Sequence, residues 1–310
     1  MVYLLLFLLF LAVFLGGMTL LRKGLFELSA SRMKNWLAAM TDTPVKGLIA
    51  GAVVTALLHS SSAVMVITIG LISAGLLRFS QSIGIILGSN IGTTFTLEII
   101  TFNIDAFIVP FAVIGAILMV FRNKTWWNIG AISFGIAAVF AAMRGFSFLA
   151  DPVTSLPIVQ EALADLNGSH MISIFTGTIV TALIQSSTAM TGIIMGFLSE
   201  GSLGMDSAIA AMLGANIGTC ITAMLASIGA GKEARLTAFA HVWLNIAGAI
   251  IFYPFIDQIS VLAGLTASSP EVQLAHVSVL YNLLASLLVL PVAEQFGKMI
   301  EFLHGKGLRD

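Results

Sequence analysis

Charge is scarce in this chain. Asp, Glu, Lys and Arg make up 9% of its 310 residues, against about 25% in soluble globular domains. So little charge cannot coat a water-facing globule whose hydrophobic content is 58% and whose mean hydropathy is +1.03. The chain is therefore expected to lie in a bilayer. Its net charge of −1 supplies no field that would hold a nucleic acid. A lone cysteine, Cys220, excludes an internal disulfide framework and a four-cysteine metal site, and no transition-metal site or tightly bound cofactor is expected. The apolar residues 2–21 lack both a basic leading segment and a small-residue cleavage pattern, so they read as a retained helix and not as a signal peptide. Prolines number only 7 against 29 glycines, a balance that suits close-packed or interrupted membrane helices.

Repetition, by contrast, is plentiful. Residues 51–96 and 177–222 align without a gap at a constant offset of 126. The identities gather on two polar clusters. One pairs His59-Ser60-Ser61-Ser62 with Gln185-Ser186-Ser187-Thr188. The other pairs Gly88-Ser89-Asn90-Ile91-Gly92-Thr93 with Gly214-Ala215-Asn216-Ile217-Gly218-Thr219. Each cluster sits inside a long apolar run. Duplicated, uncharged clusters of hydroxyls and amides in apolar sequence point to the binding site of a transporter.

Taken in order, residues 2–21 are long enough to span. Residues 22–46 are polar and basic but carry Leu25, Leu28, Trp36, Leu37 and Met40, a pattern that predicts a helix lying on the membrane surface. Residues 47–77 are too long for one span, and His59–Ser62 divides them into arms of about 20 Å each. That is short of the roughly 30 Å hydrocarbon core, so a re-entrant hairpin is expected, its tip covered by protein or a water-filled cavity. Residues 81–101 would span, with a break expected over 88–94, and residues 107–121 would span next. The second half repeats the plan: a span over 126–150, a polar segment over 151–170, a hairpin over 171–201, a broken helix over 206–228 and a span over 234–255. A loop over 257–273 and a last span over 274–292 follow.

The expected fold is an all-α integral membrane protein, an inverted-repeat secondary transporter with two re-entrant hairpins and two broken helices. Its parts would be residues 1–125 (first repeat), 126–257 (second repeat) and 258–310 (final span and short cytoplasmic tail). Three crossings per half is an odd number, so the second repeat would be inverted in the membrane. This placement puts every one of the 14 basic residues except Arg144 on the cytoplasmic side, as the positive-inside rule asks. It sets the N-terminus outside and the C-terminus in the cytoplasm, in the inner (plasma) membrane. Glu98 and Arg144 are the charged residues left inside predicted spans.

A hairpin tip exposes the N-terminal end of its second arm, where unpaired N–H groups and the helix dipole make a ready anion site. Serine hydroxyls add donors that rotate to suit the ligand. Two such tips would hold a small oxyanion without Lys or Arg. A broken helix exposes carbonyls, and neutral oxygen ligands of this kind suit Na⁺.

The paired Gln-Ser-Ser-Ser-like and Gly-x-Asn-Ile-Gly-Thr clusters resemble those of the type II sodium–phosphate cotransporter family, especially its bacterial members. The likeness extends to Leu15-Gly16-Gly17-Met18 and to Ala240-His241-Val242-Trp243-Leu244-Asn245. By this resemblance Ser60, Ser61, Ser62, Ser186, Ser187, Thr188, Asn90 and Asn216 would bind phosphate. His59, Gln185, Thr93, Thr94 and Thr219 would serve Na⁺, the coupling ion. The implied partners are inorganic phosphate, sodium ions and the lipid bilayer, with room for a homodimer. His59 departs from the family pattern by standing where Gln is usual. Many bacterial relatives carry a regulatory domain after the last span; none is expected here, and so no built-in regulator. Three other readings stay open at this point: a Na⁺- or H⁺-coupled carrier of another small oxyanion or carboxylate, an ion channel, and packing roles for individual hydroxyls. A serine hydrolase is disfavoured, since His59 beside Ser60 is not a triad and no Gly-x-Ser-x-Gly elbow is present.

Overall fold

The computed structural model describes residues 2–307, and among them there are helices and turns but no strand. Residues 308–310, Arg309 with them, lie outside the described residues. The first half runs α1 (Val2–Ala39), α2 (Pro44–Leu58), α3 (Ser61–Ser73), α4 (Phe79–Ile100) and α5 (Asp105–Val120). Next come α6 (Lys124–Thr154), α7 (Pro157–Gly168), α8 (His170–Ile184), α9 (Ser187–Ser199), α10 (Met205–Gly218), α11 (Cys220–Ala226) and α12 (Lys232–Phe252). The chain ends with α13 (Ile256–Ala263), α14 (Pro270–Val289) and α15 (Ala293–His304). Six helical stretches are long and apolar enough to cross a membrane. At 16 residues, α5 is a shorter apolar helix.

Three expectations are corrected. First, no separate surface helix follows residue 21, because α1 continues to Ala39. No proline interrupts it, and Met33 and Leu37 prolong the buried stripe begun by Phe14, Met18 and Leu21. Second, α4 is not broken: it runs without interruption through residues 88–94. The second copy departs from the helix only at Thr219, between α10 and α11. Third, the predicted loop and tail contain helices α13 and α15.

The glycines of the duplicated clusters serve packing instead. A methyl group on Gly88 would overlap the Leu48 carbonyl, and one on Gly92 would come within 2.6 Å of Thr55 Cβ. In the second copy, Gly214 meets the Ile174 carbonyl, and Gly218 approaches Thr181 Cβ to 2.8 Å on the same basis. These partners are themselves 126 residues apart, so the packing register is duplicated along with the sequence. Small residues at i, i+4 and i+8 let two helix backbones touch, a common device in membranes.

Contacts climb together along α2 and α4: Pro44 and Gly47 lie at Gly84, Leu48 and Ala52 at Gly88, Thr55 and Ala56 at Gly92. The two helices are therefore parallel, and α3 carries the chain back to the level from which α2 set out. Helices α8, α9 and α10 repeat this arrangement. The predicted helical hairpins are thus present as local structure.

The repeats are interlocked. Helix α3 packs against α11 and α12 of the second half, and α4 packs against both α9 and α14. On the periphery, α1 and α6 run antiparallel, with Gly17 against Gly135 and Ala138. Helix α5 lies along α6 and turns Val109, Val113, Ile117 and Val120 outward. The two charges inside predicted spans gain partners: Arg144 pairs with Asp105 at the start of α5, and Glu98 lies 3.7 Å from His276 of α14.

Gly88→Ala and Gly214→Ala should each lower stability by about 1–3 kcal/mol through overpacking, seen as a fall in the melting temperature of the detergent-purified protein. Gly16→Ala, where a methyl meets nothing within 4 Å, should not. Equal melting temperatures for Gly88→Ala and the parent would refute the packing role.

Candidate functional site

Both hairpin tips have the same backbone. His59 ends α2 at φ 50, ψ 35, and Gln185 ends α8 at φ 53, ψ 32. Among the described residues, these are the only non-glycine positions with positive φ. Left-handed backbone costs a side-chain-bearing residue about 1–2 kcal/mol, and helix ends of this kind usually carry glycine. Two bulky polar residues kept at a glycine-favouring position imply that their side chains are used.

Immediately after, Ser60 and Ser186 adopt extended backbone and cap the returning helices. Ser60 Oγ accepts from Ala63 N at 3.1 Å, and Ser186 Oγ accepts from Ala189 N at 3.2 Å. Each serine thus satisfies one of the orphan N–H groups of a helix start. Ser61, Ser187 and Thr188 stand in the first turns and are buried, while Ser62 is half-buried. The tips thereby gather six predicted oxyanion ligands into two equivalent constellations.

The side-chain ties of the tips differ. His59 Nδ1 lies 3.0 Å from Thr96 Oγ1 on α4. Its carbonyl accepts from Arg22 Nε of α1 at 2.9 Å. Among the described residues, exposed Gln185 has no side-chain hydrogen-bond partner, and Thr222, the counterpart of Thr96, has a buried hydroxyl without one. Thr55 Oγ1, Ser89 Oγ, Thr181 Oγ1 and Asn216 Nδ2 are likewise buried and without a partner among the described residues. Buried polar atoms are normally paired, so their concentration on α2, α4, α8, α10 and α11 marks these elements as more than packing.

Of the predicted Na⁺ residues, Thr93 and Thr94 sit on the intact backbone of α4, and Thr219 stands at the junction of α10 and α11. Thr93 Oγ1 donates to the Ser89 carbonyl at 2.9 Å, Thr94 Oγ1 to the Ile91 carbonyl at 2.7 Å and Thr219 Oγ1 to the Ala215 carbonyl at 3.0 Å. These hydroxyls spend their proton on their own helices and keep lone pairs free. The carbonyls expected from an unwound α4 are not released, because that helix is continuous.

The two asparagine clusters are joined through α12. Asn90 Nδ2 donates to Asn245 Oδ1 at 3.2 Å. Asn245 Nδ2 in turn reaches the His241 carbonyl at 2.9 Å and Cys220 Sγ at 3.4 Å, and the Cys220 thiol points back to the Asn216 carbonyl at 3.6 Å. In the sequence His241 and Asn245 stand out only through the family likeness, which gives no sign of this bridge. Arg22 is missed as well, since a cation at the end of an apolar run reads as a topology marker.

Asn245→Ala strands Asn90 and should cost about 1–3 kcal/mol. The Asn90→Ala/Asn245→Ala double variant should lose clearly less than the sum of the two single changes in thermal-unfolding measurements. Strict additivity would mean that the bridge carries no energy.

Comparison with known proteins shows which family the chain resembles. The family model described as Na+/Pi-cotransporter matches residues 13–147 and 154–268, which takes in both tips and both asparagine clusters. YqeW of Bacillus subtilis, a protein described as uncharacterized, is 38% identical over 290 residues, covering 94% of each chain. YjbB of Escherichia coli, described as a putative inorganic phosphate export protein, is 25% identical over 289 residues, 93% of this chain but 53% of its own length. The chain thus spans about half of that relative. A sodium-dependent phosphate transport protein 2A from Ovis aries is 47% identical over 62 residues, 20% of this chain and 10% of that one. No solved structure matches the chain.

Proposed function

Because this chain belongs to the Na+/Pi-cotransporter family, we propose that it is a secondary transporter that carries inorganic phosphate across the membrane with Na⁺, inward down the sodium gradient. The observation that carries the reading is the pair of equivalent tips, each with a left-handed polar residue, a serine cap and buried hydroxyls in the first turn of the returning helix. Phosphate offers several acceptor oxygens. Helix-start N–H groups and serine hydroxyls are the donors that suit them.

In this reading the hairpins are re-entrant, the two repeats are inverted and their tips converge on one ligand. Ser60, Ser61, Ser62, Ser186, Ser187 and Thr188 hold phosphate, with Asn90 and Asn216 behind them. His59, Gln185, Thr93, Thr94 and Thr219 supply oxygen or nitrogen ligands to Na⁺. Co-bound cations offset the anion's charge, which gives coupling a physical basis. No covalent chemistry is required, in keeping with a transporter family. The direction has a rival, since YjbB is described as an export protein.

Proteoliposomes of the purified protein decide between them. Radiolabelled phosphate should accumulate with an inward Na⁺ gradient and not with a matched K⁺ gradient, and a sodium ionophore should abolish it. Ser61→Ala and Ser187→Ala should each raise KM about fivefold, the worth of one neutral hydrogen bond. Phosphate efflux from loaded vesicles without Na⁺-driven uptake would favour export. No phosphate flux in either direction would sink the substrate assignment.

Orientation is tested separately by an engineered cysteine at exposed Asp165 of α7. Asp165→Cys should react with an impermeant maleimide added outside intact cells. Reaction only after lysis would invert the proposed topology.

A further inference from the structure

We infer that Arg22 is the charge-compensating residue of the substrate site, pairing with the oxyanion at the His59–Ser62 tip and setting the charge of the substrate that is accepted. The inference rests on the reading that the tips hold phosphate, and it adds a cationic residue to an otherwise neutral set.

Arg22 lies on α1, half-buried, and its Nε donates to the His59 carbonyl at 2.9 Å. That bond fixes the guanidinium at the turn between α2 and α3, next to the Ser60 cap. It is the only hydrogen bond Arg22 makes among the described residues, so one of its five N–H donors is in use. No described carboxylate lies within 4.0 Å of it. A cation removed from water is normally paired with an anion.

The backbone does not supply the missing charge. A helix C-terminus is worth about half a negative charge and an N-terminus about half a positive one. Helix α2 ends at Leu58 and α3 begins at Ser61, so the two ends offset each other beside the guanidinium. His59, whose carbonyl Arg22 holds, carries no negative charge in either protonation state. What remains is nearly one positive charge with free donors, held at the turn that leads into buried Ser61 and half-buried Ser62. Guanidinium donors match a tetrahedral oxyanion in geometry as well as charge.

The second tip has no such residue. No Lys or Arg among the described residues bonds to Gln185 or Ser186. The backbones of the tips are equivalent, but the cation is at one only, which would make the first tip the principal electrostatic anchor for the anion and leave the second to neutral donors.

The test compares the parent protein with Arg22→Lys, Arg22→Gln and Arg22→Met. It reads initial phosphate flux in proteoliposomes and, independently of flux, the thermal shift that inorganic phosphate produces on the purified proteins. Arg22→Gln should raise the phosphate KM about tenfold or more, the worth of a charge-assisted hydrogen bond, with Vmax within about twofold. Arg22→Lys should recover most of the affinity. The dependence of KM on pH, through the range where phosphate gains its second charge, should flatten in Arg22→Gln and persist in Arg22→Lys.

A purely structural arginine, holding only the His59 carbonyl, would lower melting temperature and Vmax but leave KM and its pH dependence intact. That result would overturn the inference. If the glutamine variant fails to fold, Arg22→Met takes its place in the same measurements, and a parental phosphate shift in it would equally overturn the assignment. Absence of phosphate flux and phosphate-induced shift in the parent protein would strike the function proposed above and not the role of Arg22 within it.

Discussion

The closeness of α2 to α4, and of α8 to α10, is the constraint on which the rest of the structure depends. Gly88 and Gly214 have no room for a single methyl group, because a carbonyl of the neighbouring helix occupies the space. In a bilayer there is little hydrophobic force between helices, so association rests on backbone approach and van der Waals contact. The glycines provide that approach and fix the register. Once it is fixed, the end of α2 must fall beside Thr96, and the end of α8 beside Thr222. The tips are therefore positioned by packing along the whole length of the arms and not by the few residues at the turn.

A rigid register lets the tip accommodate strain. Left-handed backbone at His59 and Gln185 is unfavourable by about 1–2 kcal/mol each, and unpaired buried hydroxyls add to it. Neither would persist at the end of an isolated hairpin. Here each returning helix is tied down along its length, α3 by α11 and α12, α9 by α6, α10 and α14. The cost is concentrated where polar groups face one another, while the lengths of the arms consist of close-packed apolar and small residues.

Much of this was legible in the sequence. The constant offset, the polar interruptions and the arm lengths predicted two pairs of arms meeting at residues 59–62 and 185–188, and α2 with α3, and α8 with α9, meet there. The asparagine clusters were misread, because glycine carries two meanings in a membrane helix: it permits a break, and it permits close approach. Period separates the two. Gly84, Gly88 and Gly92 recur every four residues, which marks one face of an intact helix, whereas a break needs no such spacing. The length of α1 was hidden for a different reason. Arg22 and Lys23 look like the end of a span, yet helix continuity depends on propensity and packing, and Met33 and Leu37 carry the buried stripe onward. Long-range ties such as Asn90 to Asn245 have no sequence period and could not be read at all.

The duplication also separates what the fold needs from what the chemistry needs. Backbone angles, caps and glycine contacts are the same in both copies, so these belong to the scaffold. Among the side chains that differ at the tips are His59 against Gln185 and the ties of Thr96 against the unpartnered hydroxyl of Thr222, together with Arg22 at one tip alone. A site serving a single kind of ion would gain nothing by breaking its symmetry, since equivalent donors would serve it from both sides. A site that must hold an anion and a cation together needs unlike halves, one richer in positive charge and donors, the other in neutral oxygens with free lone pairs. The proposed coupling of phosphate to Na⁺ places that demand on the two tips. At the tips the asymmetry falls on residues that would meet the ions, while the close approach at Gly88 and Gly92 is duplicated at Gly214 and Gly218.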